Sequence, residues 1–130
     1  MSEYIENLKQ TFPAITDIWL IGSQANGNAK PSSDWDFLVF SESSIFEEVK
    51  KNTSFHRPDV DLLLVEEYGE FSKPFGEPKG GSLLKWKWQQ NTEETAQYEG
   101  CKWVPDEEAV NEGFDDLGQI VCKALNAYRV

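Results

Sequence analysis

The sequence predicts an α/β (α+β) fold, a small mixed β-sheet flanked by helices, on three observations. Residues 18–21 form a short, uninterrupted apolar run, the mark of a buried strand. Residues 59–65 are a second strand-like segment, Asp-Val-Asp-Leu-Leu-Leu-Val, whose apolar content suits a sheet interior. Residues 4–12 and 110–128, in contrast, repeat apolar side chains every three or four positions, as core-facing helices do. At 130 residues the chain reads as one domain, 1–130, large enough for its own core. Its parts are core motifs in 18–65, an additional loop and hairpin in 66–104, and a C-terminal helix over 105–130.

Taken in order, Ser2 is placed to cap a first helix that buries Tyr4, Ile5, Leu8 and Phe12 and ends near Pro13. Strand 18–21 is broken by Gly22-Ser23, where glycine lets the backbone approach a ligand closely. A turn through Lys30-Pro31-Ser32-Ser33 leads into a second strand, 34–40. On this strand Asp34 and Asp36 are two apart and share a face. Ser44-x-x-Glu47 has the form of a capping box for a short helix through Lys51. In 59–65, parity sets Asp59, Asp61, Leu63 and Val65 on one face and Val60, Leu62 and Leu64 on the other. Asp59 reads as a solvated strand end. Asp61 lies between apolar neighbours, where an acid needs a partner and a cation supplies one.

The loop from Glu66 to Gly81 is rich in Gly and Pro, and Lys73, Lys79, Lys85 and Lys87 fall in or beside it. Leu84, Trp86 and Trp88 alternate with lysines as in a strand, with residues 98–104 as its hairpin partner; the tryptophans read as packing against one another rather than as a nucleobase platform. The final helix opens on Asp106-Glu107-Glu108 and repeats Val110, Phe114, Leu117, Val121, Ala124, Leu125 and Tyr128.

The chemistry concentrates around Gly22. A Walker loop fails, because Asn28 and Ala29 follow Gly27 where Lys and Ser or Thr are required; a dinucleotide fingerprint fails at Gln24; an EF-hand fails at Leu38 and Val39. What remains is a Gly-Ser turn joined to an Asp-x-Asp strand. Its paired hard oxygens suit Mg²⁺ or Mn²⁺, which relieve the repulsion between the carboxylates.

These residues resemble the nucleotidyltransferases of the DNA polymerase β superfamily, in particular their minimal members. The resemblance rests on Gly22-Ser23-x-Ala25-x-Gly27, Ser33-Asp34-x-Asp36 and Val60-Asp61-Leu62, in order over the first half of the chain. It implies a polymerase-β-type nucleotidyltransferase fold. It implies that Asp34, Asp36 and Asp61 are catalytic and hold two Mg²⁺ (or Mn²⁺) ions, and that Gly22, Ser23, Lys30 and Ser33 bind a nucleoside triphosphate, ATP above all. It further implies transfer of a nucleoside monophosphate to an acceptor hydroxyl, on a partner protein as in antitoxin-type members. The alternatives are an aminoglycoside-like small molecule as acceptor, or a non-catalytic nucleotide-binding module.

The net charge of −11 and pI near 4.4 argue against nucleic acid as the main partner and fit a basic protein partner or a cationic small molecule better, with solubility as the plainer reading of the charge; a homo-oligomer is the expected alternative to a protein partner. The first residues lack a signal-peptide pattern and no run of about 18 apolar residues occurs, so a cytoplasmic protein with no membrane segment is expected. Cys101 and Cys122 form neither a zinc pattern nor a disulfide framework.

Overall fold

A helix of three turns precedes the sheet because its apolar residues fall on a single stripe. In the computed structural model, which describes residues 1–27, 29–66, 69–76, 80–101 and 119–129, α1 spans Ser2–Thr11 and buries Tyr4, Ile5 and Leu8. Ser2 lies inside the helix and Met1 stands at the cap, where its carbonyl accepts the Ile5 N–H. The predicted side-chain cap is not formed.

The strands are β1 (Ile15–Ile21), β2 (Trp35–Ser41), β3 (Val60–Val65), β4 (Glu70–Ser72), β5 (Gly80–Ser82), β6 (Gln89–Gln90), β7 (Thr95–Cys101) and β8 (Gln119–Arg129). Among the described residues they form one eight-stranded sheet in the order β5-β4-β3-β2-β1-β8-β7-β6. β2 and β3 are parallel and the remaining pairs antiparallel, so the sheet is mixed, as predicted. The parallel pair is joined through α3 (Phe46–Lys51) and a short 3-10 turn at Thr53–Phe55, the crossover that parallel strands require. Ser44, predicted to cap α3, instead donates its hydroxyl to Glu66 Oε1 at 3.3 Å.

Alternation along the strands divides the core into two layers. On one face Ile18, Phe37, Val39, Val60, Leu62 and Leu64 pack beneath α1 and α3, with Leu8, Ile18 and Val49 fully buried. On the other, Trp19, Ile21, Leu38, Val65, Phe71, Tyr98 and Ala124 pack with Trp86 and Trp88. The parity read for residues 60–65 holds in full.

Two sequence expectations are corrected. The C-terminal helix is absent over 119–129, where β8 inserts between β1 and β7; residues 102–118, with the predicted helix start, lie outside the described residues. Exposure here alternates with period two: Cys122, Ala124, Asn126 and Tyr128 turn inward, and Lys123, Leu125 and Ala127 outward. The same apolar residues satisfy either period, and the open edge of β1 decides for the strand. Residues 83–87 form a turn instead of a strand. Leu84 is 78% exposed, Lys87 has φ +52, and the hairpin is made by β6 and β7. The predicted aromatic packing is present: Trp86 stacks on Tyr98 at 5.1 Å and Trp88 meets Trp19 edge-on at 5.5 Å. Trp103 lies outside the described residues.

Candidate active site

The site is assembled by one transverse row of the sheet. Ile21, the last residue of β1, is opposite Asp36 in β2, and Asp36 is opposite Asp61 in β3. Because β2 and β3 are parallel and in register, the two aspartates project from the same face as neighbours. Trp35 points to the helical layer, so its bulk does not disturb them.

Next to this row the chain turns. Gly22 adopts φ +71 and opens α2 (Gly22–Asn26), which Gly27 closes in the left-handed region at φ +77. Glycine is required at 22 twice over: for the positive φ, and because an added Cβ would run into Asp36 Oδ2. The Gly22 N–H donates to the Tyr98 hydroxyl at 3.0 Å, tying the turn to β7. Burial pushes the Tyr98 phenol up to about 12, and that N–H pulls partly the other way. Asn26 fastens α2 to β8: its Oδ1 accepts the Lys123 N–H at 2.9 Å and its Nδ2 donates to the Lys123 carbonyl at 3.3 Å and to the Gly22 carbonyl at 2.8 Å.

The electrostatics are those of crowded acids. Burial, the neighbouring charge of Asp61, a hydrogen bond shared with the Asp61 carboxyl and the more distant Asp34 together push Asp36 up from 3.8 to about 7; Lys73 acts in the opposite direction. Lys73 Nζ lies 2.8 Å from Asp61 Oδ1. Asp59 is outside this group: Arg57 binds its carboxylate with two hydrogen bonds, of 2.9 and 2.7 Å, and holds it below the ordinary range.

The remaining predicted residues lie on the segment between β1 and β2. Asp34 immediately precedes β2 and is exposed. Lys30 and Ser33 make the intervening turn, with the Lys30 N–H donating to Ser33 Oγ at 2.8 Å and the Ser33 N–H to the Lys30 carbonyl at 2.9 Å. Gln24 Nε2 donates to the Ser33 carbonyl at 3.3 Å, joining this turn to α2. Ser23 lies within α2, half-buried. Among the described residues no group of three or more His, Cys, Asp or Glu has the arrangement of a complete metal cage. The donor chemistry nevertheless fits a divalent cation, since two carboxylates are held together against their own repulsion beside a position kept free of a Cβ. Two members escaped sequence reasoning. Lys73 stood in the lysine cluster but nothing local aimed it at Asp61, and no signal linked Tyr98 to a turn 76 residues away.

The family profile described as "Nucleotidyltransferase domain" matches residues 1–110. The chain belongs to the nucleotidyltransferase domain family. The resemblance read from Gly22-Ser23, Asp34-x-Asp36 and Asp61 is thereby borne out, and with it the fold class. No curated protein matches this nucleotidyltransferase domain. Among solved structures it is similar to a candidate nucleotidyltransferase from Sulfolobus solfataricus, at 27% identity and a TM-score of 0.42. The alignment covers 51% of this chain and 63% of that one, so the domain spans less than two thirds of that relative.

Proposed function

We propose that this nucleotidyltransferase domain moves a nucleoside monophosphate, AMP from ATP, onto a hydroxyl of a partner protein. The observation that carries the reading is the in-register pair Asp36–Asp61 beside Gly22. In this reading Asp34, Asp36 and Asp61 hold two Mg²⁺ or Mn²⁺ ions. Bound there, the ions supply charge neutralisation at the triphosphate and a lowered pKa for the attacking hydroxyl. Gly22 admits the phosphates close to the backbone, the Ser23 hydroxyl orients them, and Lys30 and Ser33 border them from the facing turn. Tyr98 and Asn26 fix the Gly-Ser turn by hydrogen bonds, so geometry is set before substrate arrives. Asp59, committed to Arg57, takes no part.

The charge of −11 supports an acceptor with a basic surface over a nucleic acid. An antitoxin-type relation, with the acceptor protein as toxin, is the arrangement that this charge suits. No helix among the described residues is long and apolar enough to cross a membrane.

Incubation with α-labelled ATP, Mg²⁺ and cell lysate tests the reading. Label is expected on a protein band that survives nuclease and is lost with Asp61→Asn. Label in RNA or small molecules alone would overturn the acceptor assignment, and the absence of any transfer above the Asp61→Asn background would overturn the reaction.

A further inference from the structure

Lys73 lies one residue beyond β4, whose Ser72 is opposite Leu64 in β3. From there its chain reaches back to the acid row, and its ammonium meets Asp61 Oδ1 at 2.8 Å. The pair is lopsided: the Lys73 side chain is 17% exposed and Asp61 37%. The cation is thus the more buried member. A lysine side chain this little exposed is costly to leave without a counter-charge, so Lys73 holds Asp61 as much as Asp61 holds Lys73. Among the described lysines in or beside the loop, only Lys73 pairs with the acid row; Lys87 pairs with Glu99 at 3.3 Å.

We infer that Lys73 is a tethered counter-cation that competes with divalent metal for Asp61 and is released to the triphosphate when metal and nucleotide enter together. This inference rests on the metal-dependent reading above and deepens it. Without nucleotide, the ammonium satisfies Asp61 and repels an incoming divalent ion, so metal alone binds weakly. A nucleotide brings phosphate oxygens of its own. The three N–H donors of Lys73 then have an alternative acceptor, Asp61 is freed for the metal, and the four-carbon stem supplies the reach. Metal and nucleotide binding are therefore positively coupled through this one side chain, and by linkage each tightens the other. No atom is transferred in this step; the ion pair exchanges one anion for another.

The test titrates Mn²⁺ alone, without nucleotide, into the full chain, following free Mn²⁺ by electron paramagnetic resonance. Lys73→Met and Lys73→Gln each remove the charge, and either suffices if the other fails to fold by circular dichroism. Lys73→Arg retains the charge. The neutral variants are expected to bind Mn²⁺ about tenfold or more tightly than wild type, the scale of one unit charge at short range, while Lys73→Arg stays close to wild type. With ATP present the order reverses, and the neutral variants hold the Mn²⁺–ATP complex more weakly. Unchanged or weaker Mn²⁺ affinity in the neutral variants, with wild type binding measurably, would overturn the inference and leave the metal site standing. Failure of wild type and all variants to bind Mn²⁺, with or without ATP, would overturn the metal-dependent reading itself.

Discussion

Replacing Asp36 by Asn is expected to raise the melting temperature of the metal-free protein at pH 8, and to raise it progressively less as the pH falls. Asp36 is pushed from 3.8 to about 7 by burial and by the charge of Asp61. The folded state therefore holds the Asp36 proton more tightly than the unfolded chain does. The stability this contributes is complete below 3.8 and is lost as pH rises through about 7. At pH 8 the wild type carries the full burden of two adjacent carboxylates. The interval from 3.8 to about 7 corresponds to about 4 kcal/mol, an upper value because water and side-chain relaxation reduce it. For a domain of this size each kcal/mol moves the melting temperature by about 4 °C, so the gain reaches up to about 15 °C at pH 8 and falls towards zero near pH 4. Asn retains the shape and a donor for Asp61, so little packing is lost. Scanning calorimetry in EDTA buffers from pH 4 to 8 measures both curves. Parallel curves, or a variant less stable than wild type at pH 8, would refute the account of a carboxylate strained by its neighbour.

Asp61→Asn is expected to reduce nucleotidyl transfer 10³-fold or more, as loss of a ligand at a charge-stabilised transition state does, while the exposed Asp59→Asn leaves most activity in the same labelled-ATP assay. Asp61→Asn gains less stability than Asp36→Asn, because it strands the Lys73 ammonium. Gly22→Ala is expected to cost about 1–2 kcal/mol from the positive φ alone, more from its contact with Asp36 Oδ2, and to abolish transfer; urea denaturation and the transfer assay read the two effects separately. Tyr98→Phe leaves the Gly22 N–H without its acceptor. A loss of about 1–3 kcal/mol in urea denaturation is expected, and an unchanged midpoint would show the hydrogen bond to be dispensable.

The first half of the fold was legible because its signals are local. The stripe Tyr4, Ile5 and Leu8 forms the buried face of α1, with Phe12 buried just past its end, and the parity of Val60, Leu62 and Leu64 against Leu63 and Val65 places each on its observed layer. The family resemblance grouped Asp36 with Asp61, and the in-register pairing of β2 with β3 is what sets the two on one face. What failed was ambiguous or non-local. Ala124, Leu125 and Tyr128 fit a helical repeat as well as Cys122, Ala124, Asn126 and Tyr128 fit a strand, and the choice rests with the partners β1 and β7. Leu84, Trp86 and Trp88 alternate like a strand, yet Trp86 and Trp88 are directed by ring contacts with Phe71, Tyr98 and Trp19 across a turn. Ser2 and Ser44 have capping patterns, but a cap needs backbone geometry that the pattern does not specify. Lys73 and Tyr98 reach the site only through the folding of the segment after β3 over the acid face.

Whether the Asp36–Asp61 row binds a nucleotide through a divalent cation is decided by titrating ATP into the protein calorimetrically, once with Mg²⁺ and once with EDTA. Saturable ATP binding is expected with Mg²⁺ and its loss in EDTA. Equal affinity in both conditions would contradict binding through the cation.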